Sequence, residues 1–431
     1  MFGRGPFASR REFLKVAVAA GGATALSACL DRADEPVPTG VDDPGSLPVR
    51  QHAWNDRVRT DDHGNALLPR HQVLLYLTLD GDGPPDAAAR RTVESALATL
   101  DRAYERSHEG LVYSVAYSPR YFSRYDAAPA GVDLPEPRRL SDFETPAFDR
   151  QDALVHLASD RADVVLEADE ALRGNRETAN GVAVEAALTD VFSLDSRRTG
   201  FVGEGMPAAR QDEVEGVPSG RPVPEASPLF MGFAAGFRKN QATEDRVTIR
   251  EGPFAGGTTK HLANIRQRLD DWYGEQDRRE RVTEMFSPVH AERGWVEGVG
   301  TNLGADSRVD EAVDDLRVQA REFGRVGHAQ KAARANRDSD GGVRLLRRHF
   351  ESTDDGVASL HFPSLQREIS EFEAVREAMN GADLLDLPTI RQRVNNGILE
   401  YIFVKHRGNF LVPPRPLRAL PTPAGEVPGV E

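Results

Sequence analysis

The run Gln72-Val73-Leu74-Leu75-Tyr76-Leu77-Thr78-Leu79 leaves almost no polar residue for either face of an extended segment, so it reads as a buried strand. The segments downstream of it narrow the topology. Residues 85–106 carry Val93, Ala96, Leu97, Leu100 and Tyr104 at three-to-four spacing, which predicts an amphipathic helix. Leu111 to Tyr117 reads as a second strand, Ala153 to Ala158 as a third, Arg161 to Leu172 as a helix and Val182 to Phe192 as a fourth strand. An irregular Pro/Asp-rich stretch lies between, over 118–150. The order βαββαβ is the ferredoxin-like pattern.

A Gly/Pro-rich connection over 197–228 is longer than ordinary loops. Beyond it the grammar repeats loosely. A strand is expected over Leu262–Leu269, a helix over Leu269–Phe286 and a charged helical stretch over Val309–Ala335. Val343–Phe350 and Val357–Phe362 read as paired strands around the turn Ser352-Thr353-Asp354-Asp355-Gly356. A helix over Ser364–Met379 and a last strand over Ile398–Lys405 complete the set. The expected fold class is α+β: duplicated ferredoxin-like (βαββαβ) halves, residues 69–215 and 216–415, forming a dimeric α/β-barrel-like unit. A proline-rich tail over 416–431 comes last.

Ahead of the first half stands an address. Ser9-Arg10-Arg11-Glu12-Phe13-Leu14-Lys15 has the form of a twin-arginine export signal. The Ala/Gly-rich run after it is too short to span a membrane. It ends in Leu26-Ser27-Ala28-Cys29, which resembles a lipobox, with Cys29 as the lipid-bearing first residue of the processed chain; a plain export signal with an incidental cysteine is the alternative. Residues 1–28 are then signal peptide and 29–68 a tether, with the protein on the outer face of the cytoplasmic membrane. Cys29 is the only cysteine, which excludes a disulfide framework and any cysteine-rich zinc or iron–sulfur site. The net charge of −14 argues against nucleic acid and anionic lipid as primary partners. The signal carries a net +3, so the processed chain stands at −17. Only five of the 54 basic residues are lysine. An acidic, arginine-rich chain suits a salt-rich, halophilic milieu; a GC-rich genome gives the same bias.

Four segments, in order, resemble the dye-decolourising peroxidases, haem proteins built as a duplicated ferredoxin-like fold. Asp152-Ala153-Leu154-Val155-His156-Leu157-Ala158-Ser159-Asp160 is similar to that family's strand-to-helix segment. Phe230-Met231-Gly232-Phe233-Ala234-Ala235-Gly236 sits at its G-x-x-D-G motif, and Gly327-His328-Ala329-Gln330 at its H-x-R motif with the haem-ligating histidine. Arg344-Leu345-Leu346-Arg347-Arg348-His349-Phe350 looks like its R-I-L-R-R strand. Two positions depart: the aspartate of the first motif falls on Ala235 and the arginine of the second on Gln330.

The resemblance implies haem b as cofactor, with hydrogen peroxide and an organic reductant as partners. It implies His328 as the iron ligand and metal site, where pattern alone gives only a lone histidine in a charged helix. It implies Arg347 as the cation over the iron; an ordinary strand arginine paired with an acid is the alternative. Ala235 cannot move a proton. His349, two residues from Arg347, belongs on the same strand face and is a candidate proton acceptor, or a satisfied structural histidine. Arg238 and Lys239 are candidates for the haem propionates, against a solvated loop, and Arg321 or Arg325 could serve instead. Three readings remain: an exported haem peroxidase; a haem-binding or iron-handling surface lipoprotein without peroxidase activity, favoured by Ala235; and a scaffold without haem. Homo-oligomerisation is left open.

Overall fold

Nine residues of near-continuous apolar character do form the central strand of the first half, β1 (His71–Leu79). The computed structural model describes residues 35–312 and 316–426, so the export motif and Cys29 lie outside the described residues. After β1 come α1 (Ala87–Ala103), β2 (Val112–Tyr117), β3 (Ala153–Ser159), α2 (Ala162–Leu172) and β4 (Phe192–Phe201). The second half supplies β5 (Thr258–Gln267), α3 (Arg278–Met285), α4 (Leu316–Phe323), α5 (His328–Ala335) and the short strands β6 (Leu346–Arg347) and β7 (Phe350–Ser352). It closes with β8 (Ser359–Gln366), α6 (Ile369–Ala378) and β9 (Ile402–Val412).

The strands of the first half pair in the order β4-β1-β3-β2 and those of the second in the order β9-β5-β8-β7, with β6 also on β8. Both orders place the first and third strands of the unit at the centre, so the duplication is one of topology. Two backbone pairs, Glu351 with Phe201 and Leu411 with Tyr117, join the sheets edge to edge into a ring. Closing the ring gives every strand an inner and an outer face, both covered.

Alternate residues therefore serve two cores. On β1, Val73, Leu75, Leu77 and Leu79 face α1 and α2, while Leu74 and Tyr76 join Leu154, Leu262, Phe350 and Phe410 inside the ring. That inner core also holds polar groups. His156 bonds Gln72 at 2.7 Å, and Lys260 Nζ donates to Ser114 Oγ at 3.0 Å. Each of these buried polar groups has a partner, as burial demands.

Several boundaries differ from expectation. The fourth strand is Phe192–Phe201, not 182–192; residues 182–183 form a small hairpin with 178–179 instead. The true strand carries Arg197 and Arg198, whose charges are taken up by Asp169 at 2.6 Å and Asp355 at 2.6 Å, so its polarity hid it. The helix expected from 364 starts at Ile369, because Ser364–Gln366 still pairs with β5. The helix expected over 269–286 is cut at Asp277, whose side chain caps α3 by accepting from Glu280 N–H. Residues 36–68, expected as a tether, are instead packed on the body. Trp54 is buried beneath the Arg348 guanidinium, 4.4 Å from its ring, and its backbone N–H donates to Glu244. Gln51 bridges Val115 and Pro413 across the two halves.

The Phe350 ring lies between His156 and His361 with no exposed surface. Phe350→Ala should cost about 3–5 kcal/mol of unfolding free energy, read as a lowered urea midpoint with an unchanged m-value.

Candidate functional site

The outer face of the second sheet is covered incompletely. Between it, α5 and the loop 229–240 lies a cleft whose empty space, counting its open mouth, is about 1010 Å³. Met231, Phe233, Phe237, Phe286 and Phe362 give it apolar walls. Polar groups enter from α5 and from the β6–β7 run.

His328 enters from α5. It is the first residue of that helix, not a mid-helix residue as the charged stretch 309–335 suggested, since α4 ends at Phe323. Two glycines hold the start of α5. A Cβ at Gly327 would lie 1.9 Å from the Phe286 carbonyl oxygen, and one at Gly397, whose φ is +62°, would lie 2.8 Å from His328 N. No side chain fits either position. The His328 imidazole lines the cleft. Burial first, then the charges of Lys331, Arg347 and Arg376, lowers its pKa to about 3, so the ring is neutral and offers a lone pair. No carboxylate or carbonyl among the described residues is hydrogen-bonded to it. Gln330, where the resemblance has an arginine, is fully buried and accepts from Gly327 N–H at 2.9 Å, capping α5 rather than facing the cleft.

The β6–β7 run contributes the rest. Phe350 points into the ring, and Arg347, His349 and Glu351 line the cleft, as the two-residue period requires. Arg347 is fixed by Gln241 Oε1 at 3.2 Å and the Asn240 carbonyl at 3.2 Å. Unlike its neighbour Arg348, which pairs with Glu244 at 2.7 Å, it has no carboxylate partner among the described residues. Burial alone lowers it, to about 10, so it remains a cation at neutral pH. The His349 ring lies parallel to Phe362 at 5.9 Å, and its buried Nδ1 has no hydrogen-bond partner. Burial first, then Arg347, lowers it to about 3.

Glu351 was missed by sequence reasoning, although the same alternation that selects His349 extends to it. Its carboxylate oxygens accept from Phe230 N–H at 2.9 Å and Gln267 Nε2 at 2.7 Å. Burial pushes it up to about 8 against those two bonds. Two more buried polar atoms at the cleft lack partners, Asn240 Nδ2 and Gln267 Oε1. Ala235 also lines the cleft, with no proton to exchange.

Arg238 and Lys239, the propionate candidates, do not reach the cleft. Both are exposed; the Arg238 side chain lies beside Gly64, and Lys239 pairs with Asp306 at 3.6 Å. Arg321 is exposed, and Arg325 pairs with Glu284 at 3.5 Å. The basic side chain at the cleft besides Arg347 is Arg337, half-buried and paired with Asp310 at 3.0 Å. Among the described residues no three His, Cys, Asp or Glu side chains converge on one point.

The fold is that of the DyP-type peroxidases. The encapsulated DyP-type peroxidase from Mycobacterium smegmatis superposes with a TM-score of 0.55 at 16% identity, over 88% of this chain and 100% of that one. A DypB variant from Rhodococcus jostii RHA1 in complex with heme gives 0.56 at 15% identity, over 86% and 99%. A DyP-type peroxidase from Shewanella oneidensis, itself described as putative, gives 0.51 at 15%, over 85% and 97%. The chain is thus a divergent member of that fold class. Within it, the chain belongs to the family of unknown function DUF7405, whose profile matches residues 69–414. No curated protein is significantly similar in sequence.

The titrating groups make stability depend on pH, most strongly on the acid side. His52, His71, His328, His349 and His361 are all held near 3 by burial, against 6.5 in the unfolded chain. Below 6.5 the unfolded chain binds protons that the folded rings refuse, so stability falls with acid. Glu284 and Glu351, raised by burial from 4.5 to about 8, act the other way. Their contribution is complete below 4.5 and is lost as pH rises through 8. Five imidazoles outweigh two carboxyls below 6.5. Above it the carboxyls are opposed by Lys260, lowered by burial to about 7, and by Lys331, lowered well below its usual value, because their unfolded amines bind protons that the folded ones refuse. The urea midpoint should therefore fall as pH drops from 6.5 to 4.5 and change much less between 6.5 and 8.5.

Proposed function

We propose that the protein binds haem b in this cleft, where His328 would hold the iron, and uses hydrogen peroxide to oxidise organic reductants. The observation that carries the reading is an uncompensated cation, Arg347, in an apolar cleft that also holds a neutral, partner-free imidazole. A buried charge without a counter-ion is costly unless a ligand supplies one. The orphaned His349 Nδ1, Asn240 Nδ2 and Gln267 Oε1 point to the same conclusion, since buried polar atoms in native proteins are normally paired.

Bound haem would supply a redox-active iron able to deliver two electrons to a peroxide bond. The chain supplies the rest. His328 offers its lone pair from a helix start fixed by Gly327 and Gly397. Arg347 holds a positive charge against a developing anion. Met231, Phe233, Phe286 and Phe362 keep water from the flat faces of a macrocycle. Arg337 and Asn240 are the polar groups available to propionates, replacing Arg238 and Lys239 in that role. A second reading, a haem-binding lipoprotein without peroxidase activity, is favoured by Ala235 alone.

Haem added to the purified mature domain should give a Soret band that saturates at one equivalent. His328→Ala should weaken uptake at least tenfold. Arg347→Leu should keep the band but slow its response to peroxide by roughly 10²–10³-fold, the usual loss for one charge-stabilising donor. A wild-type band indifferent to peroxide would leave the binding reading, and no band at all would eliminate both.

Export through the twin-arginine signal and anchoring through a lipid on Cys29 are part of the same proposal and rest on sequence. Cys29→Ala should move the protein from the membrane fraction into the medium, and Arg10→Lys with Arg11→Lys should retain it in the cytoplasm.

A further inference from the structure

Peroxide cleavage by such a site needs a group that takes a proton from one oxygen and returns it to the other. Of the cleft's polar groups, Arg347 holds its proton up to about 10 and His349 refuses one down to about 3. Neither exchanges a proton readily near neutrality. Glu351 is the one carboxyl among the described residues that line the cleft. It stands on the same run as Arg347 and His349, four and two residues on. Successive same-face side chains on a strand stem roughly 7 Å apart, so Glu351 and His349 are neighbours along the cleft wall.

The carboxyl is held without being neutralised. Phe230 N–H and Gln267 Nε2 each donate to one oxygen and leave a lone pair on both. No cation pairs with it among the described residues. The titratable group packed beside it is Tyr273 on the helix Leu269–Gly274; Arg347 and His349 share its side of the run but add nothing to its shift. The Tyr273 hydroxyl donates to the Phe230 carbonyl at 2.7 Å, which fixes the peptide that in turn holds Glu351. Gln267 Oε1 is buried without a partner beside it, so the amide can turn over and accept from a protonated Glu351. The pair is therefore built to hold the carboxyl in either protonation state.

We propose that Glu351 is the catalytic acid–base of the cleft, taking a proton from the attacking oxygen of hydrogen peroxide and returning it to the leaving oxygen, with Gln267 as its positioning residue. The inference rests on the proposed haem reading, because the two electrons that break the O–O bond come from the haem. The proton taken equals the proton returned, one water leaves, and Glu351 ends as it began. Burial raises the carboxyl to about 8, close to working pH, where an acid–base group is most effective. The ionised fraction is about a tenth at pH 7 and most of the total at pH 9.

The test compares wild type with Glu351→Gln, whose amide can still accept from Phe230 N–H and can donate to the orphan Gln267 Oε1. In haem-free protein, an infrared carboxylic-acid C=O band should titrate with a midpoint near pH 8 and be missing from the variant. In haem-loaded wild type, the rate of the Soret change with peroxide should rise roughly tenfold from pH 7 to 9. The variant should bind haem within about twofold of wild type, lose the pH rise and react at least ~10²-fold more slowly at pH 9. Glu351→Asp, with the carboxyl retained but withdrawn, should keep the pH rise at a lower rate, and serves if Glu351→Gln does not fold. A variant with wild-type rate and pH rise, at equal haem content, overturns the proposal. If neither protein takes up haem, the haem reading fails and the catalytic role falls with it, a result distinct from a haem-loaded, fully active variant.

Discussion

Closure of the strand ring is the constraint on which the rest of the structure depends. Two backbone pairs, Glu351 with Phe201 and Leu411 with Tyr117, turn two four-strand sheets into one surface without free long edges. Closure makes the inner face a core, so every second residue must suit an interior. The remaining residues are released to face helices, or the cleft. Glu351 is both a ring-closing residue through its backbone and a cleft residue through its side chain. A slip of one position on β7 would turn Phe350 outward and Arg347, His349 and Glu351 inward. The orientation of the cleft's polar side chains is thus locked to the packing of the Phe350 ring between two imidazoles.

The molecule treats buried charge in two ways, and the contrast locates function. Inside the body, arginines are matched: Arg407 with Glu144, Arg415 and Arg418 with Asp101, Arg124 with Asp152. A matched pair roughly recovers its desolvation cost. At the cleft the rule lapses. Among the described residues Arg347 pairs with no acid and Glu351 with no base. Four residues of strand put their stems roughly 13 Å apart, and each has its own anchors, Gln241 and Asn240 for the arginine and Phe230 and Gln267 for the glutamate. Burying a cation without an acid and a carboxyl without a base costs stability, which is the usual character of a site that acts on a ligand.

Legibility in the sequence followed burial. β1, β2, β3, α1 and α2 were readable because their apolar periodicity is set by two-sided cover. β4 was misplaced because its arginines are satisfied by Asp169 and Asp355, residues distant in sequence whose pairing leaves no local signal. The break before His328 was unreadable for a similar reason: Gly327 is demanded by the carbonyl of Phe286, a residue far back in the chain. Arg347 and His349 were reachable from motif and alternation. Arg238 and Lys239 were misjudged because charge near a motif says nothing of direction, and here the 238–240 turn aims both outward while Asn240 turns inward.

Ala235 looked like the decisive departure, since it removes a carboxyl from the loop that walls the cleft. The geometry weakens that inference. A proton-exchanging group needs a fixed position and a pKa near working pH more than it needs a particular element to carry it. Loop 229–240 has a single short turn of helix and owes its shape to scattered bonds, such as Ala234 N–H to the Val299 carbonyl. The β7 strand is fixed by register on both sides, to β8 and to β4. A carboxyl on β7 is therefore held more rigidly than one at position 235 would be. It also lies deeper, where desolvation raises its pKa into the useful range; a carboxyl at the exposed position 235 would receive little of that shift. Without a carboxyl at 235, the cleft still holds one buried carboxyl, on a more rigid element of the same fold.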